Sequence, residues 1–506
     1  MNLFTKKSLA ELDQESERNP LRRSLGRVQL IALGVGSIIG TGIFVMTGTA
    51  ASQNAGPALV LSMILTTIGC AFSGLCYAEF AAMVPIAGSA YTYAYATIGE
   101  FIAWIIGWDL ILEYALSVST VAVGWSGYFV SLARDVGVHI PLALTMPVGK
   151  VVTDSSGATV VGIFNLPAVC IVVFVSALLI SGIRQSANAN TVLVAIKAMA
   201  LVVFVVAGAS YVRRENLTPF IPPNTGQFGH FGLSGILRGA GVMFFAYIGF
   251  DAVTTAAQES KDPQRDMPVG ILGSLAICTV LYIAVAIVLT GIVHYTRLNV
   301  ADPLAVGIDA TGLRWLSPVI KVSAIFGLFS TMLVQLLGQT RIFFSMARDG
   351  LLPRVFGRVH ARYRTPHVST LVTGTVCAFV AGLTSIEVLG QLVSIGTLLA
   401  FVLVCIGVVI LRRTAPENRR PFRTPGVPWV PALGAIICLA QMVGLPGQTW
   451  IRLVTWLAIG LVIYFLYGYR HAQAARLARP ALELTQNLAA GGVLPKDVAE
   501  QPAASS

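Results

Sequence analysis

The chain has 506 residues, 55% hydrophobic and only 11% charged, with a mean hydropathy of +0.77. A set of water-soluble domains with that composition would leave its apolar surface in water, whereas a bilayer accepts it, so a soluble multidomain protein is excluded. The formal charge of +11 sits in short gaps between apolar runs, which is the placement of topology determinants and not of a nucleic-acid-binding face.

Residues 1–27 mix Lys6, Lys7, Arg18, Arg22, Arg23 and Arg27 with Glu11, Asp13, Glu15 and Glu17. They contain no apolar core, so they read as a cytosolic tail and not as a cleaved signal peptide. A spanning helix needs about 20 apolar residues. The first five such runs lie near 28–52, 57–82, 92–118, 164–183 and 188–212. Seven more follow near 235–258, 268–293, 318–346, 366–384, 386–411, 429–446 and 449–470. The apolar stretch 119–135 either extends the third helix or forms a short helix beside it. With both termini cytosolic, the inner gaps collect most of the 34 lysines and arginines, and shifting the parity by one helix would invert that bias. Residues 471–506 are Ala-rich and polar, with no apolar face long enough to pack, and are expected to be a mostly disordered cytosolic tail.

The seven cysteines all fall inside apolar runs with no C-x-x-C pair. They are expected to be small buried hydrophobes, with no disulfide framework and no metal site. A nucleophile–base set, a metal cluster and a phosphate loop are all missing, so an enzyme is not expected, nor is any cofactor.

The first span carries Gly34, Gly36, Gly40 and Gly42 halfway along an apolar run. Glycines spaced by four form a face on which helices approach closely. Gly40-Thr41-Gly42 equally marks an unwound stretch, since two glycines around one residue are costly in a helix interior. Unwound backbone at membrane depth is tolerated only where it lines a cavity. The sixth span repeats the pattern over Gly239 to Asp251, with Gly249 and a charge deep in the run. Breaks in spans one and six, five spans apart, are what two inverted five-helix repeats produce. Half-helices present free N–H groups to an anion and free C=O groups to a cation, which suits the carboxylate and ammonium of an α-amino acid.

Four segments carry a family resemblance. Residues 36–44 (GSIIGTGIF) and 244–251 (FFAYIGFD) resemble the first- and sixth-helix signatures of the amino acid–polyamine–organocation (APC) superfamily. Glu79-Phe80 with residues 85–91 resembles its loop after helix two. Gly338 to Arg341 with Met346 to Pro353 resembles its helix-eight end. The chain is most similar to the bacterial cationic amino acid transporter-like branch, over roughly residues 25–470. The resemblance implies an all-α membrane fold of about twelve helices with a LeuT-type five-plus-five inverted repeat. Residues 28–212 would be the first repeat, 235–411 the second, and 429–470 two further helices. It implies that the N–H groups of Thr41, Gly42 and Ile43 hold the substrate carboxylate. The carbonyls of Ile38, Phe245 and Ile248 would take the ammonium, with Phe245 lying over the substrate as a gate.

Lys197 lies nine residues into span five, roughly 13 Å deep, so it must be paired, hydrated or neutral. The resemblance adds that a lysine on this helix occupies the place of a sodium ion near the first-helix break, which makes proton coupling the expectation. Glu113, with Asp109 one turn earlier, and Asp251 are the expected partners of Lys197 or of the proton. Asp251 also fits as a cap of the second half-helix. Glu79 reads as a structural or gating charge, and Lys321 as a residue snorkelling to the interface. Arg341 and Arg348 read as boundary anchors or inner-gate ion pairs. The side-chain pocket is expected to draw on Ser117, Leu328, Ser394 and Thr397, with apolar Leu328 leaning towards small neutral amino acids. The expected protein is therefore a proton-coupled amino-acid transporter of the cell membrane, multi-pass, a monomer or weak oligomer. An exchanger and a non-transporting sensor are the alternatives.

Overall fold

The structure, a computed structural model, describes residues 5–7, 25–83, 89–153, 157, 159–182, 187–360, 363, 365–417 and 419–474. The tail residues 1–4, 8–24 and 475–506 and the loop residues 85–88, for which expectations are stated above, lie outside the described residues.

Apolar runs become helices because backbone in hydrocarbon must satisfy its N–H and C=O groups within the segment. The first passage is α1 (Arg27–Ile38), then a break, then π turns over Gly42–Met46 and Ala51–Ala55 flanking α2 (Thr47–Ala50). It is followed by α3 (Leu59–Met83), α4 (Ser89–Thr97) and α5 (Glu100–Asp135). A small hairpin of β1 (Val151–Thr153) and β2 (Thr159–Val161), pairing Val151 with Val161, precedes α6 (Leu166–Ile180) and α7 (Ala187–Ala209). The sixth passage opens with α8 (Gly232–Met243) and ends in 3-10 turns, and α9 (Pro263–Ile292) and α10 (Pro303–Asp309) come next. The chain closes with α11 (Leu316–Arg348), α12 (His367–Leu383), α13 (Ile386–Thr414), α14 (Trp429–Gly444) and α15 (Gly447–Ile463).

Among the described residues, eight apolar helical stretches are long enough to cross a bilayer, and four shorter apolar helices accompany them. Arg27–Ile38 joins the start of Gly42–Met83 across the first break, and Gly42–Met83 turns at Gly56 into a second passage, so the stretches trace the twelve expected passages. The outward faces are apolar: Val280 and Leu466 are each 72% exposed, an arrangement favourable only against lipid. The protein is thus a multi-pass, all-helical membrane protein.

Helix α5 runs through the middle, packed against α11 and α13, while α9 backs onto α1 and α3. It continues unbroken to Asp135, so 119–135 extends the third helix. Residues 92–97, expected at its start, belong instead to α4, because Gly99 takes φ +130° and separates the two helices. Six cysteines are buried as expected. Cys170 is exposed, because its face of the peripheral α6 points outward.

Ion pairs tie the bundle at both ends. At one end Lys7 meets Asp349 at 2.7 Å, Arg27 meets Asp266 at 2.7 Å and Arg341 approaches Glu259 at 3.6 Å. There Glu79 accepts two 2.8 Å hydrogen bonds from Arg412 and a third from the Thr424 N–H, fixing α3 to α13. That makes Glu79 a structural charge. At the other end Lys321 does not snorkel: it is 3% exposed and donates to Asp135 at 2.6 Å, because the end of α5 brings a carboxylate to it.

Candidate functional site

Both glycine-interrupted passages break at mid-span. Helix α1 ends at Ile38, Ile39 turns extended (φ −70°, ψ 97°), Gly40 continues the bend and helix resumes at Thr41. In the sixth passage α8 tightens into a 3-10 turn over Phe244–Tyr247. Ile248 is then extended (φ −63°, ψ 136°) and Gly249 takes φ +123° before a 3-10 helix over Asp251–Glu259.

The two breaks meet. A Cβ on Gly249 would lie 2.7 Å from the Ser37 carbonyl, and one on Gly42 would collide with the Ala246 backbone. Only residues without side chains permit that approach, and at Gly249 the positive φ demands glycine as well. The glycines of the first span divide between the two roles stated above. Gly34 and Gly36 seat against Ser274 of α9 and Val194 of α7, as packing positions. Gly40 and Gly42 flank the break.

Bare main-chain groups result. The first-turn amides of Thr41, Gly42 and Ile43 have no carbonyl one turn back within their own helix, and they carry the positive end of its dipole. The last carbonyls of α1 face the other way. Those of Gly36 and Ile39 accept hydrogen bonds from Lys197 Nζ, the latter at 2.8 Å, and Thr331 Oγ1 accepts a third at 3.2 Å. Gly327 clears the path, since a Cβ there would press on the Lys197 stem at 3.1 Å. The Ile38 carbonyl accepts from the Tyr282 hydroxyl at 2.8 Å, leaving one lone pair for a ligand.

Between the breaks lies a cavity lined by Ser37, Ile38, Gly40, Thr41, Gly42, Ser117, Val121, Phe245, Ile248, Thr331 and Gln335. Its free volume is about 10 Å³, room for a single water. The hydroxyls of Thr41 and Ser117 face it without a hydrogen-bond partner, and no carboxylate is in its lining.

Residues 25–467 match the amino acid permease family. The chain belongs to that family. It is 45% identical over 471 residues to the methylthioribose transporter of Bacillus subtilis, covering 93% of this chain and 99% of that one. It is 44% identical to the branched-chain amino acid permease BcaP of the same organism, over 93% and 99% of the two chains. It is 37% identical to the vacuolar cationic amino acid transporter 4 of Arabidopsis thaliana, over 79% of this chain and 64% of that one. The protein is a transporter and not an enzyme.

In this permease the residues expected to hold substrate lie together around one cavity: Ile38, Thr41, Gly42, Phe245 and Ile248 line it, and Ile43 follows in the same half-helix. Lys197 reaches the first break, but on carbonyls and a hydroxyl. The carboxylates expected as its partners do not meet it, because the carbonyls freed at the first break and the Thr331 hydroxyl already supply oxygens to its ammonium. Asp251 Oδ1 accepts from the Gly249 N–H at 3.2 Å and Oδ2 from the Tyr114 hydroxyl at 3.4 Å; the backbone donor precedes it in the chain, so Asp251 braces the break and does not cap the 3-10 helix it begins. Glu113 Oε2, both Asp109 oxygens, the Gln339 amide and Ser394 Oγ are buried with no hydrogen-bond partner. Of the four residues expected at the side-chain pocket, Ser117 lines it. Leu328, Ser394 and Thr397 do not, and Val121, Thr331 and Gln335 stand in their place. The signal for Thr331 and Gln335 was present: both share a face of α11 with Leu328, at spacings of three and seven. What the pattern lacked was depth along the helix.

Proposed function

We propose that this permease takes up neutral α-amino acids across the cell membrane by alternating access, coupled to protons, with both termini cytosolic. The observation that carries this is the meeting of two mid-span helix breaks, Ile39–Gly40 against Ile248–Gly249, around an uncharged cavity. The amides of Thr41, Gly42 and Ile43 suit a carboxylate. The carbonyls of Ile38, Phe245 and Ile248 suit an ammonium. Phe245, 7% exposed at the cavity wall, closes over the substrate.

In this reading 28–212 and 235–411 are the inverted repeats, each with its break in its first helix. A cavity of about 10 Å³ is a closed state, so substrate enters only after the lining separates. Lys197 holds its ammonium where a coordinated sodium ion would sit, on the carbonyls of the broken helix. Glu113 and Asp251 are the proton stations, Glu113 with a buried oxygen free to carry a proton.

The neutral substrate class follows from the lining. A cationic side chain buried there would find hydroxyls and the Gln335 amide but no counter-charge, and an unpaired buried ion is costly. Two relatives matched over 99% of their length are named for a thiosugar and for branched-chain amino acids, which supports an uncharged side chain on the ligand. Purified protein in substrate-free proteoliposomes should accumulate a labelled neutral amino acid under an inward proton gradient. An obligate exchanger would show no uptake there.

A further inference from the structure

A cavity of about 690 Å³ lies away from the helix breaks, where α7 and α9 end on the face opposite the Lys7–Asp349 pair. Its wall includes Ser210, Arg213, Asn216, His294, Arg297 and Val306. The backbone beneath is fixed. Gly291 seats against Val212 and Gly208 against Val288, so the two helix ends touch. The Arg213 N–H donates to the Gly291 carbonyl at 2.9 Å, and the Asn216 amide donates to the carbonyls of Gly291 and Ile292 at 2.9 and 3.0 Å. The guanidinium groups of Arg213 and Arg297 form no ion pair among the described residues, although Glu215 and Asp309 are close in sequence. Two like charges bordering one cavity repel, and an anion between them removes the repulsion.

Two lipid-facing stripes lead to this cavity. On α7 the exposed residues Val192, Ile196, Met199, Val202 and Val206 recur every three to four positions, and continuing the series reaches Ser210 and Arg213. On α9 Val280 and Ile287 are exposed, and the next step of seven is His294. Such spacings stay on one helix face. Apolar surface for acyl chains therefore ends at a basic cavity at the level where a helix leaves the hydrocarbon.

We propose that this cavity binds the phosphodiester headgroup of an anionic phospholipid, with its acyl chains along the α7 and α9 stripes. A zwitterionic headgroup would bring its own ammonium towards two guanidiniums, and a soluble phosphate would leave the apolar stripes unused. The bound lipid clamps the end of α7, the helix that carries Lys197, onto α9.

The test is native mass spectrometry of the full-length protein titrated with phosphatidylglycerol or phosphatidylcholine. Phosphatidylglycerol should be retained in preference, and Arg213→Gln or Arg297→Gln should each weaken it about fivefold, the effect of one basic residue beside an anionic headgroup. Arg314→Gln, an exposed cation at the same end of the bundle, should leave it unchanged. Raising salt should also weaken binding to the unmutated protein, which needs no variant to fold. Equal retention of the two lipids, undiminished binding in both variants, an equal loss in Arg314→Gln or salt-independent binding would each overturn the proposal. Displacement by glycerophosphoglycerol, the headgroup without chains, at equal concentration would assign the cavity to soluble phosphates and overturn the lipid.

Discussion

Lys197 is fully buried, and its ammonium meets two carbonyls of a broken helix and the Thr331 hydroxyl. An ammonium in hydrocarbon needs oxygen ligands, and the break frees carbonyls that an intact helix would have used. Lys197→Met should abolish proton-driven uptake while leaving counterflow exchange measurable, and undiminished driven uptake would refute the coupling role. It also leaves the Gly36 and Ile39 carbonyls without that donor, so thermal stability should fall by about 1–3 kcal/mol. Phe245→Ala opens the cavity wall without touching the main-chain groups. Substrate affinity in a competition binding assay should drop severalfold, and wild-type affinity would remove Phe245 from the gate.

At the scale of elements, the breaks matter more than the helices they interrupt. Gly249→Val should be more damaging than Gly34→Ala: valine at φ +123° is strained, and its Cβ would press on the Ser37 carbonyl. The two breaks would then separate. Binding and transport should both be lost while helical content by circular dichroism stays near that of the wild type. Preserved transport would disconnect the contact of the breaks from function. The glycine runs were legible as interruptions, but whether each glycine packed or unwound was not. That depends on what lies opposite: Val194 and Ser274 for two of them, the sixth passage for another. The same limit moved the side-chain pocket from Leu328 to Thr331 and Gln335. Periodicity gives the face of a helix, while the depth of its partner is set by packing.

At the scale of the molecule, residues 5–7 cross the end of the bundle and join it to the rest. The Thr5 carbonyl accepts from the Glu100 N–H at 3.0 Å, and Asp349 accepts from Lys7 at 2.7 Å and from the Tyr91 hydroxyl at 2.8 Å. Burial raises the Asp349 carboxyl, but the charges of Lys7 and Arg348 and the hydrogen bonds from Lys7 and Tyr91 outweigh it and hold it below its ordinary range. A carboxyl so depressed contributes stability above its unfolded value, and that stability is lost as pH falls through the folded one. Protection of the amino-terminal segment in hydrogen exchange should thus be constant from about pH 5 to pH 8 and fail only below about pH 4. Asp349→Asn should release it at neutral pH without unfolding the bundle, because Lys7 can return to water. Unchanged protection in that variant would show that the ion pair does not hold the segment.

The membrane environment, the twelve passages and the location of both breaks were readable from the amino-acid order. Hydrophobic run length answers to bilayer thickness, and glycine inside a helix signals a cost that something must offset. Partners were another matter. That Lys197 finds carbonyls instead of Glu113 or Asp251, that Lys321 finds Asp135 instead of the interface, and that Gln335 faces the cavity all depend on which helices lie side by side. Those contacts join residues more than a hundred positions apart, and no local pattern encodes the distance between them.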